Sequence, residues 1–153
     1  MKYVLLILAV LGIVVSSLAL REHYREYGDS PCSINERWDC GVVNHSPFAV
    51  LGGVFDQMGF HGHIPVISAL PIATAGILGY IVMAAFAFRR GYRTLLVLTI
   101  ASLAFSLYLA HIEKDILGVW CVYCVISLGI ISLMTLLTIG TVIGQVVRRP
   151  RMA

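Results

Sequence analysis

The sequence predicts an all-α membrane protein, a bundle of four transmembrane helices with an outer loop that contains a short half-helix. Three observations predict it. The 153 residues are 59% hydrophobic and 12% charged, about half the charged fraction of an ordinary soluble domain. The apolar residues are gathered into long uncharged runs. The charges between those runs are sorted by position.

Tyr3 to Leu20 and Ile64 to Phe88 hold no charge, Thr94 to Ile112 contains only His111, and Ile116 to Val147 is again uncharged. A helix crosses roughly 30 Å of hydrocarbon with about 20 residues. Helices are therefore expected at about 3–20, 64–88, 94–112 and 118–147, within a single membrane domain over 1–153. The first run shares features with a signal peptide, namely Lys2 and the Ser17-Leu18-Ala19 sequence. Its apolar stretch is long for that purpose, so it is read as a retained helix. The last run exceeds the need, which tilt or a first turn standing above the membrane absorbs.

Basic residues kept on the cytoplasmic side set orientation. With the N-terminus inside, Lys2, Arg89, Arg90, Arg93, Arg148, Arg149 and Arg151 are cytoplasmic. Arg21, Arg25, Arg37, Lys114 and every acidic residue lie outside. Both termini are thus expected inside. The net charge of +3 reflects this sorting and does not indicate nucleic acid.

The outer segment 21–63 is long, and long loops usually carry function. Within it, Ser46-Pro47 followed by Phe48, Leu51, Val54, Phe55 and Met58 has helical spacing. Serine suits an N-cap and proline a first helical position. A short apolar helix is expected there, too short to span, lying over the bundle or packed on it as an ordinary loop helix.

All four cysteines fall on the outer, oxidising side. Cys32 and Cys40 are spaced C-x7-C in the loop; Cys121 and Cys124 form C-x-x-C where the last helix begins. Residues i and i+3 share a helix face, and the positive end of a helix favours a thiolate, which speeds exchange. This position also borders the headgroup region that a lipid-soluble quinone reaches. The C-x7-C pair, near Gly28, Pro31 and Gly41, can close a small disulfide and still move. A mobile pair beside a fixed pair suits electron relay by thiol–disulfide exchange. Two static structural disulfides remain an alternative. A four-cysteine zinc site is disfavoured by the C-x7-C arm and the outer location, and no metal is expected. Haem attachment needs C-x-x-C-H, but residue 125 is Val.

These residues resemble the vitamin K epoxide reductase family in its compact prokaryotic form. The resemblance runs through Cys32 and Cys40, Ser46 six residues on, and the half-helix with Gly52 and Gly53. It continues through Pro71-Ile72-Ala73-Thr74-Ala75-Gly76, Gly79-Tyr80, Phe105-Ser106, Tyr108-Leu109 and Glu113 to Cys121-Val122-Tyr123-Cys124.

The resemblance implies a four-helix bundle around a quinone of the menaquinone, ubiquinone or phylloquinone type. It implies that Cys124 adjoins the quinone, Cys121 resolves that disulfide and exchanges with Cys40, and Cys32 is the outward shuttle. Electrons would come from a thioredoxin-like redox protein of the DsbA type, supporting disulfide formation in exported proteins. No such domain is fused here, so the partner is expected to be a separate protein. The location implied is a prokaryotic inner or plasma membrane. Implied quinone contacts are Ser46, Phe48, Leu51, Phe55, Tyr80, Phe105, Tyr108, Trp120 and Tyr123. Leu128 stands where animal relatives carry a tyrosine, so no hydrogen-bond donor to the quinone is assigned.

Each residue also has a plainer explanation. Ser46 is equally an N-cap. Phe105 and Tyr108 suit a bundle core, and Trp38, Trp120 and Tyr123 an aromatic belt. His61 and His63 read as solvated surface and His45 as an ordinary loop histidine. His111 and Glu113 are expected to play a structural part, with tuning of Cys121 as the other reading. Two rival functions are a structural membrane subunit with static disulfides and a DsbB-type quinone reductase. The second carries its C-x-x-C in the first outer loop, unlike this chain.

Overall fold

The computed structural model describes residues 1–26, 31–60 and 65–148. His61, His63 and the basic tail from Arg149 lie outside them. Helix α1 (Lys2–His23) buries Leu5, Ala9, Gly12, Ser16 and Ala19, a stripe spaced at three and four residues. Most of these are small, which lets neighbouring helices approach closely. Tyr3, Ile7, Val10, Leu11, Val14 and Leu18 face outward, as a lipid-facing surface does.

Helix α5 (Ile72–Phe88) packs on α1, and helix α6 (Tyr92–Ile112) packs on α5 and on helix α7 (Val122–Arg148). Helix α7 closes back against α1. By length and apolar composition, Lys2–His23, Tyr92–Leu117 and Val122–Val147 can each cross a membrane. Ile72–Phe88 is apolar but shorter, 17 residues.

The expected second helix, 64–88, is divided. A short helix α4 (Pro65–Ser68) precedes a break, and α5 starts after Pro71. Proline has no N–H to donate and disfavours helical backbone in the residue before it. Leu70 instead accepts the Leu51 N–H at 3.0 Å, beside a bridge between Val50 and Pro71. The expected half-helix is divided as well. A 3-10 turn, Pro47–Ala49, is followed by extended Val50 and then helix α3 (Leu51–Gln57). Ser46 occupies the N-cap, but its hydroxyl makes no cap bond. It donates instead to the Val43 carbonyl at 2.8 Å.

Helix α6 continues into a π-turn, Glu113–Leu117, ended by Gly118 at φ 69°, a left-handed conformation that glycine adopts without strain. Helix α7 therefore begins at Val122 rather than at 118. Its threonines hydrogen-bond back to the preceding turn, Thr135 to Ile131 and Thr138 to Met134, each at 2.7 Å. No hydroxyl is thereby left unpaired in apolar surroundings.

Two buried clusters mark the ends of the bundle. One comprises Leu5, Ala9, Tyr80, Met83, Ala87, Tyr92, Leu95, Ile131 and Met134. The other is Cys32, Cys40, Val43 and Cys121.

Candidate functional site

The loop reaches the bundle through a small piece of sheet. The Asn35 side chain accepts the N–H groups of Arg37 and Trp38 at 3.0 and 3.2 Å, a local turn that asparagine favours. The chain leaves that turn extended. Asp39 then donates to the Trp120 carbonyl at 3.1 Å, and Trp120 donates to the Arg37 carbonyl at 2.8 Å. Trp38 pairs in parallel with Trp120, their rings 6.4 Å apart and inclined by 33°. Cys40 follows Trp38 by two residues and Cys121 follows Trp120 by one. The register thus sets the second loop cysteine and the first C-x-x-C cysteine in a common buried cluster.

Helix α2 (Cys40–Asn44) starts there. Asp39 caps it, its carboxylate accepting from Gly41 at 2.8 Å and Val42 at 3.2 Å. Ser33 donates to the same oxygen at 2.6 Å. The Ser33 bond, helped by the two backbone bonds and opposed by partial burial, holds the Asp39 carboxyl below its ordinary value. Cys32 and Cys40 form a disulfide with Cα atoms 5.7 Å apart. Cys32 is 6% exposed, and Cys40 and Cys121 are fully buried.

Cys121 and Cys124 are free thiols. Cys121 precedes the first helical residue, where the N–H groups of a helix start point outward. The Cys124 thiol, assisted by the N–H groups of Cys124 and Tyr123, holds the Cys121 thiol below its usual value. Burial and the Glu113 charge oppose this.

Two further side chains hold the pair. The Asn44 amide, buried, donates to the Cys40 carbonyl at 2.9 Å and to the Cys121 sulfur at 3.8 Å. Glu113, 3% exposed, accepts the Cys121 N–H on Oε2 at 3.1 Å. Asn44 escaped the sequence reading; its signal was a polar residue four after Cys40, on the same helical face. Glu113, expected to be mainly structural, contacts the Cys121 backbone itself. His45 turns away from the thiols, its ring nitrogens meeting the carbonyls of Gly41 and Arg25, each at 2.8 Å. His111 pairs with Asp115 at 2.5 Å on the surface.

Below the cysteines lies a cavity of about 400 Å³, within the usual size of a small-molecule site. Of the expected quinone contacts, Ser46, Phe48, Tyr80, Phe105 and Tyr123 line it. Leu51, Phe55, Tyr108 and Trp120 are not part of its wall. Phe55 is exposed, and Trp120 is engaged with Trp38. Cys124 opens onto the cavity, and so do Asn44 and Glu113. An apolar wall with a few polar groups beside a reactive sulfur fits a quinone ring. The Tyr80 hydroxyl is already bonded to Ser127, at 3.0 Å to its Oγ and 3.1 Å to its carbonyl.

Comparison with curated proteins finds no match. The family model described as the vitamin K epoxide reductase family matches residues 3–139. That match takes in both cysteine pairs and every residue that lines the cavity, and the chain belongs to this family as an integral membrane oxidoreductase.

Proposed function

We propose that the protein is a membrane thiol:quinone oxidoreductase that reoxidises a separate thioredoxin-like protein. Electrons pass from the partner to Cys32–Cys40, then to Cys121–Cys124, then to a quinone in the cavity. One observation carries this reading. Cys121 is packed with the loop disulfide on one side, while its partner Cys124 opens onto an apolar cavity on the other. A static structural disulfide gains nothing from such a position.

The quinone supplies an acceptor for two electrons and two protons. The protein's own residues do the rest. The Trp38–Trp120 pairing holds Cys40 against Cys121. The lowered thiol of Cys121 favours it as the group that exchanges with Cys40.

The charge distribution supports a topology with both termini inside and all four cysteines outside, in a prokaryotic inner or plasma membrane. In this reading Ile72–Phe88 is the fourth span, since 17 residues are at the lower limit of what crosses a bilayer.

The test is quinone reduction by the purified protein in detergent, driven by a reduced thioredoxin-like protein. Wild type should reduce quinone and Cys124→Ala should not. Absence of reduction with every quinone and thiol donor tried, both pairs remaining oxidised throughout, would establish static disulfides instead.

A further inference from the structure

Glu113 is a carboxylic acid where its visible structural task does not require one. It stands at the junction of α6 and the π-turn, 3% exposed. Its Oε2 accepts the N–H of Cys121 at 3.1 Å, at the start of the helix that carries Cys124. It also forms part of the cavity wall. Accepting one N–H needs only an amide oxygen. A buried carboxylate is costly to keep even when it is hydrogen-bonded. What a carboxyl group adds over an amide is an exchangeable proton.

The proposed reaction has protons to move. Two thiols become a disulfide and a quinone becomes a quinol, so two electrons and two protons leave the cysteine pair and arrive on the substrate. We infer that Glu113 is the proton relay of this step, receiving the proton of the Cys124 thiol and delivering it to a quinone oxygen in the cavity. The inference rests on the quinone-reducing reading above.

The balance is complete within the site. The Cys124 S–H bond breaks as a Glu113 O–H bond forms. The Cys121–Cys124 S–S bond closes and the electron pair departs to the quinone. The Glu113 O–H bond then breaks as a quinone O–H bond forms, and the same carboxylate next takes the Cys121 proton and delivers it to the second quinone oxygen. Glu113 ends as the carboxylate it began as. A proton carrier must lie beside both the donor and the acceptor, and Glu113 shares one cavity wall with Cys124. The titratable groups nearest it are Cys121, whose N–H it accepts, and Cys124, which shares its cavity wall. Tyr80 from α5 and Tyr123 from α7 also face the cavity, and α2 presents the uncharged Asn44.

The experiment compares Glu113→Gln and Glu113→Asp in the full chain, with quinone and a reduced thiol donor. Glutamine keeps the size and the acceptor for Cys121 but cannot carry the proton. Its kcat should fall about 10²-fold, with KM for quinone little changed and one limb of the pH profile of kcat lost. Aspartate, one methylene short, should recover part of kcat together with that limb. A purely structural role predicts the reverse order, glutamine active and aspartate impaired. That order, or a glutamine variant with wild-type kcat and pH profile, overturns the relay.

A second readout needs no quinone. Reducing Cys121–Cys124 should change the carboxyl region of the infrared difference spectrum in wild type but not in Glu113→Gln. Identical spectra from the two proteins overturn the relay even where quinone is reduced. A wild type that shows the infrared change yet reduces no quinone sinks the proposed function and the relay with it, and leaves Glu113 only as a neighbour of the Cys124 thiol.

Discussion

Asn44 and Cys121, 77 residues apart in the chain, are joined by a hydrogen bond from the Asn44 amide to the Cys121 sulfur at 3.8 Å. The same amide donates to the Cys40 carbonyl at 2.9 Å. A single side chain thus ties the loop helix to the sulfur with which Cys40 is proposed to exchange. The backbone of Asn44 is tied down too, its carbonyl accepting from His23 at 2.7 Å.

Replacing Asn44 with alanine should therefore slow transfer between the two pairs. The variant loses about 1 kcal/mol of stability from the bond to the Cys40 carbonyl. In a Cys32→Ser, Cys124→Ser background, a trapped Cys40–Cys121 disulfide should accumulate more slowly with Asn44→Ala than without it. Equal rates of trapping would mean that Asn44 does not align the pair.

Trp38→Ala should separate the two halves of the relay. It removes an aromatic pair worth about 0.5–1.5 kcal/mol and loosens the loop from the start of α7. Quinone reduction driven by the thioredoxin-like protein should fall. Reduction driven by a small dithiol that reaches Cys121–Cys124 directly should fall much less. Equal losses with both donors would count against the alignment role of the Trp38–Trp120 bridge.

Asp39 predicts an acid limb in stability. Its carboxyl is held below its ordinary value in the fold, chiefly by Ser33. The stabilisation is therefore present above 3.8, the ordinary value, and is lost as pH falls below it through the lower folded value. Asp39→Ala should cost about 1 kcal/mol as a lost cap and should abolish this limb. Hydrogen exchange at the Cys40–Asn44 amides, measured against pH, reads both effects.

Tyr80 forms a wall of the cavity, and its hydroxyl is occupied by Ser127. Tyr80→Phe should accordingly cost about 1 kcal/mol of stability while leaving quinone kcat close to wild type. A large fall in kcat with unchanged stability would instead assign the hydroxyl to the quinone.

Gly53→Ala should disturb the segment over the cavity. A methyl group there would fall on the Pro47 carbonyl oxygen, which is backbone and cannot rotate away. The Pro47–Ala49 turn and Phe48 must shift, at a cost of about 1–3 kcal/mol. The expected result is a raised KM for quinone and a lowered melting temperature, measured together.

The sequence alone determined much of this protein. Uncharged runs of about 20 residues can be covered by little else than membrane helices, because a chain in hydrocarbon must satisfy its own backbone bonds. Spacing and position marked the four cysteines as a candidate relay, since a helix start favours the thiolate of a C-x-x-C pair. Runs of apolar residues do not reveal their own interruptions, however. The division of 64–88 at Pro71 and of the half-helix at Val50 depends on a backbone bond from Leu51 to Leu70, residues far apart in sequence.

The tertiary structure alone decided which residues share the site. Whether Phe48 or Phe55 faces the cavity turns on the angle of each short helix, which local spacing cannot set. Asn44 and Glu113 acquire their roles only by contact with Cys121. For a buried polar group, the meaning of the residue lies in its partner, and the partner is a property of the fold.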